Sequence, residues 1–315
     1  ALGLMRDLHM STGDYAGAAD ACRSLLQADP SDLATRTVLA VATCGQGDRQ
    51  KAADMFAGVL RDDGSRERAI VVLSEMLSCG MYREAVSMAE LVCRQYPKDP
   101  MLRRLRGNAE YQVGEYLKAS VTFSEAAAMD PHNPVLWHSK GMADEARGDF
   151  ESAEAAYNRA LLLDQGGPQF WISKSAVQER IGDCYGAIEA LNRALELDPS
   201  CTAALVRKSR ILASAGRNPE ALYFIRQARI AAPDEVRIMD IEADILAASG
   251  DTESAAEVLR ARQAVEVSET AAVRLARTLL SKGDREAAIA SLDEAAGKLP
   301  DSRIISEERE RMVSG

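Results

Sequence analysis

Apolar residues recur along the chain at helical spacing, with polar residues filling the opposite face. Ala153, Ala156, Tyr157, Ala160 and Leu161 make one such stripe, and Ala187, Leu191, Ala194 and Leu195 make another. The stripes themselves recur. Gly13, Gly47, Gly80, Gly114, Gly148, Gly182, Gly216, Gly250 and Gly283 are separated by 34, 33, 34, 34, 34, 34, 34 and 33 residues. Five residues after each stands an alanine: Ala18, Ala52, Ala85, Ala119, Ala153, Ala187, Ala221, Ala255 and Ala288. Nine glycines in one register would arise by chance with a probability on the order of 10⁻¹⁰, so the chain is read as nine tandem units.

Each unit is predicted to be two antiparallel helices. A helix followed at once by its antiparallel partner needs a left-handed residue to end it, and glycine takes that conformation without a Cβ penalty. In six of the nine units the next residue is Asp, as in Gly148-Asp149 and Gly182-Asp183, placed to accept from the free amides that open the second helix. The alanine then falls in the first turn of that helix, where a larger side chain would hold the pair apart. Proline closes six units, at Pro30, Pro97, Pro131, Pro199, Pro233 and Pro300. Gly64, Gln165 and Val267 stand there in the others, and the units with Gly64 and Val267 are those one residue short. Their turns are expected to be tighter.

The order of Trp or Leu, then Gly or Ala, then Gly-Asp with an aromatic, Ala, and finally Pro resembles the tetratricopeptide repeat family. The best matches are Trp137, Gly141, Gly148-Asp149-Phe150, Ala153, Tyr157 and Ala160, and then Trp171, Gly182-Asp183, Ala187, Leu191, Ala194 and Pro199. Departures are local: Arg36 and Arg103 replace an apolar residue of the first helix, and Ser175 and Ser209 replace a small Gly or Ala. The resemblance implies an all-α, right-handed α-α superhelix. It would be a single array over residues 1–315, with repeats at about 1–32, 33–65, 66–99, 100–133, 134–167, 168–201, 202–235, 236–268 and 269–302. Residues 303–315 are expected to form a capping helix or the start of a truncated tenth repeat. The short first helix, ending near Thr12, and this tail both suggest a segment of a longer protein.

In that family the first helices line a concave groove that holds extended or helical peptides. Its positions would be the fifth, ninth and twelfth of each repeat. They read Thr37, Val41, Cys44, Ile70, Ser74 and Leu77 early, and Arg104, Asn108, Tyr111, His138, Met142 and Glu145 in the middle. Ile172, Ala176, Glu179, Val206 and Arg210 follow, then Asp240, Asp244, Val273, Arg277 and Leu280. The candidate partner-binding residues are Arg104, Asn108, Tyr111, His138, Met142, Ile172, Glu179 and Arg210, with Arg and Tyr as the residue types that anchor interfaces. The clamp by which some family members hold a chaperone's C-terminal carboxylate is not matched. Arg104 and Asn108 fit its first pair, but Ser139, Gln169 and Ser173 lack the required positive charge.

Composition narrows the function. Hydrophobic residues are 47% and aromatics only 5%, which suits close helix packing. The net charge of -10 has the wrong sign for phosphate-driven binding, so nucleic acid is not the expected partner. Apolar runs such as Ala69 to Leu73 are far shorter than a membrane span, and no secretory signal opens the chain. A basic series, Arg106, Lys140, Lys174 and Lys208, recurs at 34-residue intervals; it is read as stems packed between helices with their charges in water rather than as a polyanion site. Six cysteines, at 22, 44, 79, 93, 184 and 201, form no C-x-x-C pair and fall mostly at small or apolar positions, so buried reduced thiols in a cytoplasmic compartment are expected. His9, His132 and His138 have no metal-ligand spacing, and the glycines recur singly rather than as a phosphate loop. The chain therefore reads as a non-catalytic scaffold with no cofactor or metal, binding a protein or peptide in its groove. The alternative is a self-assembling module, or the rigid arm of a larger protein whose enzymatic or membrane-linked part lies elsewhere.

Overall fold

A computed structural model describes residues 2–314, which form 19 helices and, among the described residues, no strand. The chain divides into two compact units, residues 1–165 and 166–315, a division the repeat period does not announce. Unit 1 holds five hairpins: α1 (Leu2–Thr12) with α2 (Tyr15–Ala28), α3 (Leu33–Gly45) with α4 (Arg49–Asp62), α5 (Arg66–Ser78) with α6 (Tyr82–Gln95), α7 (Pro100–Val113) with α8 (Tyr116–Met129), and α9 (Pro134–Ala146) with α10 (Phe150–Leu163). Unit 2 holds four: α11 (Pro168–Arg180) with α12 (Cys184–Leu197), α13 (Thr202–Ser214) with α14 (Asn218–Ala231), α15 (Val236–Ala248) with α16 (Thr252–Val265), and α17 (Glu269–Ser281) with α18 (Arg285–Lys298). The helix α19 (Arg303–Ser314) follows them.

The hairpin turn has the conformation its sequence requires. All nine register glycines have positive φ, from 69° at Gly80 to 92° at Gly47. At Gly148 the glycine amide donates to Glu145 O at 3.0 Å and the next amide, of Asp149, donates to Asp144 O at 2.9 Å. This pair of bonds satisfies carbonyls that the helix end leaves open, and its counterpart occurs at every one of the nine turns. Asp14, Asp48, Asp149, Asp183, Asp251 and Asp284 then each accept from a backbone amide in the first turn of the second helix. Met81, Glu115 and Arg217, which stand in the other three units, make no such bond. The connections between hairpins also follow the sequence: residues 63–65 and 266–268 are three-residue links, where the other repeats use four.

Close packing accounts for the small residues. The nine register alanines are at most 1% exposed. A Cβ on Gly141 would lie 2.5 Å from a ring carbon of Tyr157, and one on Gly107 would lie 2.6 Å from the Phe123 ring, so each aromatic fills the space a side chain would need. Ser175 and Ser209 stand at the same place in the next two repeats, fully buried, with hydroxyls donating to Ile172 O and Ala221 O. Where Trp137 lies under the Arg159 guanidinium, the departures Arg103 and Arg36 instead form ion pairs with Glu125 and Asp62 of the second helices. A polar pair here replaces an aromatic contact between the hairpin's two helices.

One expectation needs correction. The cysteines are all free, but only Cys22 and Cys93 are buried; Cys184 is exposed, because it opens α12 on its solvent side. The α19 segment seats Ile305 and Met312 in the core of the last hairpin, and Arg277 holds its Glu308 through two bonds of 2.6 and 3.0 Å. It packs on both α17 and α18.

The alanine contact sets a clear stability test. Ala153→Leu forces extra volume into a closed contact and is expected to destabilise by about 1–3 kcal/mol. Ala155→Leu, on the exposed side of the same helix, should stay within about 0.5 kcal/mol in urea unfolding.

Candidate functional site

In unit 1, three successive first helices bring groove positions together. Asn108 and Tyr111 from α7, Leu77 from α5, and Met142 from α9 line one cavity of about 300 Å³, with Phe123 in its wall. The α7 backbone sets Asn108 and Tyr111 about one helical turn apart on one face. Tyr111 tilts against Tyr116 with ring centroids 5.3 Å apart, and burial, with Tyr116 and Glu145 nearby, raises its phenol above the ordinary value. The cavity thus offers an amide that donates and accepts, a phenol, and an apolar thioether.

Not every candidate joins it. Arg104 is half-buried and lies against Met101 Sδ at 3.2 Å, outside the cavity. The His138 ring packs on Tyr157 with centroids 5.4 Å apart, and the Tyr157 hydroxyl donates to Glu145 Oε2 at 2.8 Å. Burial lowers His138 from 6.5 to about 4, so it is neutral at pH 7 and serves hairpin packing. Several early positions are likewise used in packing: Thr37 is 5% exposed and donates to Leu33 O, while Ile70 and Leu77 pack against core clusters. Packing covers these positions, so the pattern of fifth, ninth and twelfth residues marks more groove than remains open.

The basic series is also absorbed internally. Arg106 Nε donates to Glu110, whose carboxylate is fully buried and accepts a second bond from Thr122 at 2.6 Å. Lys140 pairs with the equally buried Asp144, which accepts from Ser120 and Arg147 as well. Lys174 lies 6.0 Å from the Trp171 ring centroid. Lys208 sits 3.7 Å over Phe224, and burial lowers its ammonium below the ordinary range. Arg106, Lys140 and Lys208 thus contribute to packing between helices, while Lys174 stays beside Trp171 of its own helix, so the series is not one uniform ladder.

In unit 2, Ile172 packs against the cluster around Leu191 and Ala187. Glu179 accepts from Arg207 Nη1 at 2.7 Å and, with Arg210, lines a cavity of about 560 Å³. Arg237, Ile238 and Ile241 of α15 also line this cavity. Those residues occupy the second, third and sixth places of their repeat, which the groove pattern leaves out; an apolar pair flanked by Arg at the start of a first helix was the available signal. Further along, Arg274 holds both Asp240 and Asp244, at 2.7 and 2.6 Å, and Arg262 lies 3.5 Å from Asp240, so two guanidinium groups face these two carboxylates within the unit. Among the described residues no helix is long and apolar enough to cross a membrane.

Tandem hairpins of this geometry, closed by glycine and packed on alanine, define the tetratricopeptide class. Family models described as tetratricopeptide repeat match residues 177–236 and 242–303, and residues 135–166. The chain is a tetratricopeptide-repeat protein. No curated protein sequence matches it. Among solved structures it is similar to yeast Tom70, with a TM-score of 0.60 and 15% identity over 91% of this chain and 62% of that one. It is also similar to a tetratricopeptide repeat protein from Parabacteroides merdae, with a TM-score of 0.56 and 15% identity over 79% and 98% of the two chains. A chain of the APC/C hetero-tetramer Cut9-Hcn1 gives a TM-score of 0.55 and 12% identity over 98% and 75%. At these identities the likeness is one of fold. Proteins of this fold generally mediate protein–protein interaction and are typically non-enzymatic scaffolds.

The environment of His138 makes stability depend on pH. The unfolded chain takes up a proton near 6.5 and the folded chain only near 4. The unfolded state therefore binds more protons between those values, and stability is full above about pH 6.5 and falls as the pH is lowered toward 4. The His138 ring should stay neutral at pH 5 by NMR, and His138→Phe should flatten the fall in melting temperature between pH 7 and 5.

Proposed function

We propose that the protein is a non-catalytic scaffold that holds an extended peptide or a helix of a partner protein in the groove lined by its first helices. The observation that supports this most directly is the convergence of Asn108, Tyr111, Leu77 and Met142, from three consecutive first helices, on one cavity. An amide beside a phenol and a thioether suits a peptide. The Asn108 amide can pair with a backbone group, and a side chain can insert between Tyr111 and Met142. A cytoplasmic, reducing setting belongs to the same reading and draws on six free thiols.

Self-association is the second reading. It draws on Leu4 and Leu8, one turn apart on α1, which are 77% and 61% exposed. Light scattering over a hundredfold concentration range separates the two: a concentration-independent monomer removes self-assembly.

For the groove, Asn108→Ala with Tyr111→Ala should weaken capture of partner peptides at least tenfold, the scale of a lost anchor. Helical circular dichroism should be unchanged. Undiminished capture of every partner by the double variant would sink this site.

A further inference from the structure

We propose that the cavity of unit 2 is a second docking site, and that it takes an acidic peptide segment carrying one large apolar side chain. The inference rests on the groove reading above and gives this stretch of groove its own ligand chemistry.

The cavity has two distinct parts. Val206 of α13 and Ile238 and Ile241 of α15 make an apolar floor, and Ile238 is only 2% exposed. The space above them, about 560 Å³, is nearly twice the 300 Å³ of the unit 1 cavity and lies within the range in which a bulky group can be enclosed. An apolar side chain seated there removes from water its own surface and what the half-buried Val206 and Ile241 still expose.

The rim carries the selectivity. Three arginines, Arg207, Arg210 and Arg237, and two carboxylates, Glu179 and Glu235, line the site. Glu179 is taken by Arg207 at 2.7 Å. Among the described residues, Arg210 and Arg237 form no ion pair with any carboxylate, Glu235 included, and both are exposed. Two open guanidinium forks beside an apolar floor match a carboxylate next to an apolar side chain, since each fork can receive both carboxylate oxygens. A basic segment finds only Glu235 free, against two unpaired positive charges. Bulk attraction works the other way, because the chain as a whole carries a net charge of -10. Acidic ligands are therefore held by local geometry and not by the overall field.

Fluorescence anisotropy on the full chain tests this with three labelled, end-blocked peptides: Asp-Glu-Phe-Glu-Asp, the same peptide with Ala for Phe, and Lys-Lys-Phe-Lys-Lys. The first should bind at least tenfold more tightly than either of the others at 150 mM salt. Arg210→Gln with Arg237→Gln should abolish that preference, and Arg210→Glu with Arg237→Glu should reverse it, with unchanged helical circular dichroism. Asn108→Ala with Tyr111→Ala should leave it intact. Equal binding of the Ala peptide, preference for the lysine peptide, or indifference to both arginine pairs overturns the proposal. If partner capture is lost in the Asn108 and Tyr111 variant while the acidic peptide ignores the arginines, the general groove reading survives and this site does not. If the wild-type chain binds none of the three peptides, this site is overturned whatever the unit 1 cavity does.

Discussion

The rest of the structure depends on how closely two antiparallel helices can approach inside each hairpin. Ala153 is fully buried at that contact, and Gly141 leaves the gap into which the Tyr157 ring fits. The left-handed glycine of the turn and the aspartate after it both serve this approach: one helps reverse the chain within three residues, and the other accepts from an amide that the start of the second helix exposes. Once the hairpin is closed, its two helices present a single apolar surface, and the neighbouring hairpin within the same unit covers it.

Charged groups then select which surfaces meet. Asp144 on α9 is fully buried yet accepts from Ser120 of the preceding α8, while Glu242 on α15, 3% exposed, receives Arg226 and Arg229 of the preceding α14. Removing one partner from such a cluster leaves an uncompensated charge, which is costly, even though the cluster adds little net stability over a well-packed apolar seam. The seams between hairpins are thus distinguished by chemistry as well as shape. Arg106 and Lys140, two of the basic residues spaced by 34, belong to such clusters.

Much of the fold was legible because each turn depends on residues within one short segment: Gly148, Asp149 and Ala153 act on their own hairpin and repeat with it. The convergence of Asn108, Tyr111 and Met142 was also legible, since the repeat period and helix geometry together place them on one face. What the sequence did not reveal depends on side-chain packing within and between repeats. His138 shares the groove register but turns onto Tyr157, Thr37 is covered by its neighbours, and the Glu179–Arg207 pair joins two different first helices. Arg237 and Ile238 entered the unit 2 cavity through the opening turn of α15, at positions a fixed pattern of fifth, ninth and twelfth residues leaves out.

Within each unit, the substantial contacts among the described helices join immediate or next neighbours along the chain. Such an arrangement has a mechanical consequence. With no long-range tie to share a load, tension applied to the ends of a unit is carried in full by every seam. Hairpins would peel away singly, and each step would release a chain segment of about 34 residues, roughly 110 Å when extended. A stack built this way is a spring that yields in equal increments, and its weakest seam sets the force at which it first gives.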